Sequence, residues 1–181
     1  MNREQVEQRA EELFQGGLHC AEAVLAAVLE GQGQGQNVTG VSPRAASAFG
    51  GGVGRSKKAL CGALSGGLIA LGLLQGRDTP DEKWDAVAVA AEAVRSRFEA
   101  GYGCTTCGEV LERLGPQEGM DKCIRLAANT ASLFHDALNN PASTGAAAAC
   151  GCTARQAATT TATTTATTAA AKPSGCGCGC G

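Results

Sequence analysis

Apolar positions recur along the first three-quarters of the chain at helical spacing. Between residues 2 and 15, Val6, Ala10, Leu13 and Phe14 fall on one face with Glu and Arg opposite, predicting an amphipathic helix closed by Gly16-Gly17. A second helix is expected from near His19-Cys20, with Cys20, Val24, Leu25 and Val28 in one stripe, until the Gly/Gln run of residues 31–36 breaks it. Ser42 as cap and Pro43 in first helical position predict a short helix that stops at Gly50-Gly51-Gly52, and another helix is expected to begin around Leu60. Thr79-Pro80-Asp81-Glu82 has the form of a capping box, predicting a following helix that aligns Trp84, Val87, Ala91, Val94 and Phe98. Thr106 with Glu109 repeats that signal ahead of Val110, Leu111 and Leu114. A last long helix carries Ile124, Ala127, Ala131, Phe134 and Leu138 and ends near Asn139-Asn140-Pro141. No strand pattern is long enough to form a sheet.

The expected architecture is therefore all-α, a bundle of about six helices over residues 1–141. From Ala142 the composition collapses into Ala and Thr, which reads as a disordered, low-complexity tail over 142–181. Aromatics are only 3% of the chain, so its core must be built from Leu, Val, Ile and Ala at close helix spacing.

Charge narrows the function classes. Lys plus Arg number 15 against 17 Asp plus Glu, for a net charge of -2, which speaks against a nucleic-acid binder. Arg55, Lys57 and Lys58 form one short basic patch, read as a solvated loop. The apolar stretch Ala59 to Leu74 is short for a bilayer and rich in Gly, so a buried core helix is expected and a membrane span is not. The N-terminus runs into an acidic amphipathic helix and carries no apolar leader, so a cytoplasmic location is expected. In that reducing setting the ten Cys read as redox-active or metal-binding thiols rather than a disulfide framework.

Cys20, Cys61, Cys107 and Cys123 each fall in or near the first turn of a predicted helix. There the free amides and aligned peptide dipoles favour thiolate over thiol, so a lowered thiol pKa is expected. Each also leads into the apolar stripe of its helix and is expected to point inward. Any one of them alone would read as a small buried hydrophobe. Cys104-Thr105-Thr106-Cys107 adds a CxxC whose spacing suits a disulfide or a shared metal. No βαβ pattern surrounds it, and Gly108 follows it, which removes a thioredoxin fold and a c-type haem site. The glycines at 50, 51, 52 and 54 satisfy neither GxGxxG nor the Walker spacing, so nucleotide binding is rejected; HExxH and nucleophile-elbow motifs are absent. His19 and His135 are read as capping or surface residues rather than ligands.

These residues together resemble the redox-active family labelled C_GCAxxG_C_C. The matching text is Gly17-Leu18-His19-Cys20-Ala21-Glu22-Ala23-Val24-Leu25, Phe49 to Gly54, Cys61-Gly62-Ala63-Leu64-Ser65-Gly66, Phe98, Cys107-Gly108-Glu109-Val110-Leu111 and Cys123. The resemblance covers roughly residues 5–138, and CGAxxG followed by Leu68-Ile69-Ala70-Leu71-Gly72 is its most specific part. It implies a small helical protein whose four family cysteines are Cys20, Cys61, Cys107 and Cys123. His19 stands where a capping Asn is expected, and Cys104 and the tail are additions.

Two functions follow as expectations. In the first, the four cysteines pass electrons by thiol–disulfide exchange with a redox partner, Cys107 exchanging and Cys104 resolving. In the second, the same thiolates hold zinc or an iron–sulfur cluster. Cys150, Cys152, Cys176, Cys178 and Cys180 have the spacing of a soft-metal binder. Whether the chain is an enzyme, and whether it forms a homo-oligomer, the sequence leaves open.

Overall fold

Asn2 starts the first helix, α1 (Arg3–Gln15): its side chain accepts from the Gln5 amide while the Gln5 side chain accepts from the Asn2 amide, both at 2.8 Å. The following helix, α2 (Cys20–Gly31), is apolar on all sides, and residues Ala21 to Leu29 are buried apart from Glu22. A helix of that kind belongs at the centre of a bundle. α2 packs against α1, against α3 (Gly62–Gln75) and against α6 (Asp121–Asn139), with α1 also on α6. Val24, Leu25 and Val28 of α2 share one core with Phe14, Leu64, Leu71, Phe98 and Phe134.

The computed structural model describes residues 1–34 and 42–140. Within them lie six α-helices, including α4 (Asp85–Tyr102) and α5 (Cys107–Leu114), and one 3-10 segment, Pro43–Phe49. The all-α expectation holds. Among the described residues the sole strand-like pairing is an isolated antiparallel bridge, Leu60 to Thr106. No described helix is long and apolar enough to cross a membrane, and the most apolar, α3, has 14 residues. The Ala/Thr tail, its five cysteines and the proposed boundary near residue 141 lie outside the described residues.

The expected short helix after Ser42 is present as a 3-10 helix, and Ser42 caps it by accepting from the Arg44 amide at 3.2 Å. One expected element is corrected. The Thr79–Glu82 signal closes a turn instead of opening a helix: the Thr79 hydroxyl and the Asp78 amide both donate to Glu82 at 3.2 Å. α4 starts only at Asp85, so Trp84 caps the helix and is 61% exposed rather than joining the stripe of Val94 and Phe98.

Candidate functional site

The four cysteines singled out by the sequence sit at the starts of four different helices. Cys20 and Cys107 are the first residues of α2 and α5, Cys61 caps α3, and Cys123 is the third residue of α6. Backbone pairing between distant segments fixes two of these starts together. The Cys61 amide donates to the Thr105 carbonyl at 2.8 Å, the Cys107 amide to Ala59 at 2.9 Å and the Gly108 amide to Lys57 at 2.7 Å. Around the Leu60–Thr106 bridge, this short ladder ties the start of α3 to the start of α5, with Cys61 opposite Thr105 and Cys107 opposite Ala59. α5 begins at the predicted place, but Thr106 makes no side-chain cap bond; its carbonyl accepts from the Val110 amide at 3.0 Å.

All four cysteines line one cavity of about 510 Å³. Val110, Leu111, Leu126 and Met120 give it an apolar wall, and His19 and Ser47 also reach it. Arg55 and Lys57 line it too while staying exposed to solvent, as the reading of their segment as a solvated loop expects. That loop turns left-handed: Gly51, Gly52, Val53, Gly54, Arg55 and Lys57 all have φ between 57° and 71°. Internal bonds hold it, among them Arg55 amide to Gly50 carbonyl and Lys57 amide to Gly51 carbonyl, each 3.0 Å. Glycine is required at Gly52, where a Cβ would lie 2.6 Å from Cys107 Cβ.

The sulfurs are free thiols: Cys61 and Cys107 are buried, Cys20 and Cys123 half-buried. The lowered thiol pKa expected at helix starts is reversed for three of them. Burial pushes the Cys61 thiol up to about 12, against the opposing pull of the Ala63 and Leu64 amides. Burial also raises Cys107, with Cys20 and Cys123 adding to the rise and Lys57 opposing it. Cys123 rises for the same first reason, opposed by a hydrogen bond from Gln117. Removal from water thus outweighs the helix-start amides.

Cys104 does not line the cavity; it is buried in the hydrophobic core with its thiol 3.7 Å from the Tyr102 carbonyl. His135 lies within bonding distance of Gln32 and Asn139, and burial lowers its pKa. Among the described residues no group of three or more His, Cys, Asp or Glu is placed to hold a metal ion.

A family model described as "Putative redox-active protein (C_GCAxxG_C_C)" matches residues 18–137. The chain belongs to this family. No curated protein and no solved structure matches it. The glycines of the C_GCAxxG_C_C signature have a direct physical reading here. A Cβ on Gly62 would lie 2.5 Å from Cys20 Sγ, and one on Gly66 would overlap the Ala21 carbonyl oxygen. Without side chains at these two positions, α3 lies directly on the first turn of α2, and Cys20 comes up to the start of Cys61's helix.

Three contributors went unnoticed in the sequence. Glu22 accepts from the His19 amide at 2.8 Å and from the Ser47 hydroxyl, tying the 3-10 segment to the start of α2. Burial alone would raise the Glu22 pKa, but these two bonds outweigh it and hold the carboxyl low. Gln117 grips Cys123 from both sides, donating to its sulfur at 3.2 Å and accepting from its amide at 3.0 Å. The His19–Glu22 spacing was a readable capping signal; nothing in the sequence flags Ser47 or Gln117.

Proposed function

We propose that this member of the redox-active family works as a dithiol–disulfide protein, exchanging two electrons at a time through Cys20, Cys61, Cys107 and Cys123. The observation that carries the reading is that thiols from four helix starts share the wall of one cavity. Cys20 is the natural first attacker, being half-buried and on the wall of the cavity that the other three share. Its sulfur attacks an external disulfide, one external thiol leaves with the proton, and a second cavity thiol then displaces the other external thiol to close a protein disulfide. Two protein thiols are oxidised and one external disulfide is reduced.

Because burial keeps Cys61, Cys107 and Cys123 protonated, a two-electron oxidation that joins any two of these three releases two protons. The midpoint potential should therefore fall by about 59 mV per pH unit and keep that slope through about pH 9, where ordinary thiols begin to flatten it. Redox equilibration of the full chain against dithiothreitol, quenched with an alkylating agent and read at each cysteine peptide, measures this. The reading fails if the four cavity cysteines stay reduced at potentials where Cys150, Cys152, Cys176, Cys178 and Cys180 are fully oxidised.

A further inference from the structure

The charge on the cavity wall is one-sided. Arg55 and Lys57 line it, and among the described lining residues there is no carboxylate, although the chain as a whole carries -2. Two acidic groups are tied to wall residues from outside the lining: Glu22, committed to the Ser47 hydroxyl and the His19 amide, and Asp121, which acts through space on Cys123. Both cations sit on the left-handed loop, whose internal bonds and whose Lys57 carbonyl, accepting from Gly108 at 2.7 Å, hold their backbones in place. The thiols, the cations and an apolar wall of Val110, Leu111 and Leu126 therefore enclose a volume of about 510 Å³, a size suited to a small molecule.

We infer that the oxidant taken by this site is a small disulfide bearing carboxylates, its anionic ends on Arg55 and Lys57 and its sulfurs among the cavity thiols. This rests on the dithiol reading above. The apolar wall receives the methylene arms, and the cations set the charge that enters. Electrons balance as before: one cavity thiol plus RSSR gives a mixed disulfide and RSH, and a second cavity thiol converts the mixed disulfide to a protein disulfide and a second RSH.

Three dialkyl disulfides of similar size test it: dithiodipropionate, a dianion; hydroxyethyl disulfide, neutral; and cystamine, a dication. The reduced full chain is mixed with each, quenched, and scored at the Cys20, Cys61, Cys107 and Cys123 peptides, with rates divided by those of the urea-unfolded chain. The dianion is expected to react about tenfold faster than the neutral compound and the dication slowest. Added salt should shrink the spread. The double variant Arg55→Gln, Lys57→Gln should bring the ratios close to one, whereas Lys58→Gln, whose residue does not line the cavity, should keep them. Equal normalised rates for the three, or a preference for the dication, overturns the inference while leaving the dithiol reading standing. If none of the three oxidises the cavity thiols, the dithiol reading itself fails. Should the double variant not fold, the wild-type series and its salt dependence decide alone.

Discussion

Gly66→Ala isolates the close approach of α2 and α3 that the site depends on. A methyl group at Gly66 would overlap the Ala21 carbonyl oxygen and lie 2.8 and 2.9 Å from the Ala21 carbonyl carbon and Cα. Ordinary carbon contacts are about 3.5–4.0 Å, so the two helices must part by about 1 Å where they cross. The obstacle is backbone, with no rotamer through which to yield, which places the cost near the upper end of the usual 1–3 kcal/mol for overpacking, about 3 kcal/mol. Ala recovers about 1 kcal/mol over Gly in a helix interior, leaving a net loss of about 2 kcal/mol. At about 4 °C per kcal/mol for a cooperative unit of this size, Tm should fall by about 8 °C. Gly72, in the same helix, is exposed, and a methyl group there would meet nothing within 4 Å, so Gly72→Ala should gain the propensity alone and raise Tm by about 2–4 °C. Thermal unfolding of the reduced protein, followed by far-ultraviolet circular dichroism, compares the pair. Equal Tm values for the two variants would refute the close-packing account of the signature glycines.

Three further outcomes can be checked. Burial raises the Cys61 thiol from its ordinary 9.0 to about 12, so the unfolded chain sheds this proton before the folded one does; the associated stability is complete below pH 9 and is lost as pH rises towards 12. Urea unfolding between those limits should show a steeper decline for the wild type than for Cys61→Ala, by about 1.4 kcal/mol per pH unit, and parallel declines would contradict the burial argument. Gln117→Met removes the amide that donates to Cys123 Sγ, so Cys123 should ionise at higher pH and alkylate about tenfold more slowly at fixed pH, with Cys20 unaffected; an unchanged Cys123 rate would deny Gln117 its positioning role. Val53 is β-branched, 46% exposed and held at φ 61°, so Val53→Gly should stabilise the fold by about 1 kcal/mol in chemical denaturation, and a loss of stability would show that its side chain matters more than its backbone.

Helix starts were legible because local signals carry them. Pro43 after Ser42, the paired glycines at 16–17 and the spacing of Ile124, Ala127, Ala131 and Phe134 each placed an element to within a few residues. The same signals put Cys20, Cys61, Cys107 and Cys123 at four of those starts. They failed where a distant segment or a buried surface decides. Thr79 and Glu82 do bond, hydroxyl to carboxylate, but the contact closes a turn and does not cap a helix, leaving Trp84 outside the core. No local pattern announces that Lys57, Ala59 and Cys61 pair with residues 105–108, or that non-glycine residues at 53, 55 and 57 adopt positive φ. That loop brings Arg55 and Lys57 to the cavity while leaving them exposed, a placement that composition alone does not show. Thiol acidity failed for a related reason: the helix-start field is local and readable, whereas the desolvation that outweighs it at Cys61, Cys107 and Cys123 arises from the whole packed bundle.

The account turns on sulfurs from four helix starts being close enough to bond to one another. Mass-spectrometric mapping of disulfides in the full chain, after oxidation with one equivalent of a small disulfide at low protein concentration, addresses it directly. Intramolecular links should appear among Cys20, Cys61, Cys107 and Cys123, with Cys20 or Cys107 in each first-formed bond and Cys104 still reduced. Links confined to the tail cysteines, or only between separate molecules, would contradict it.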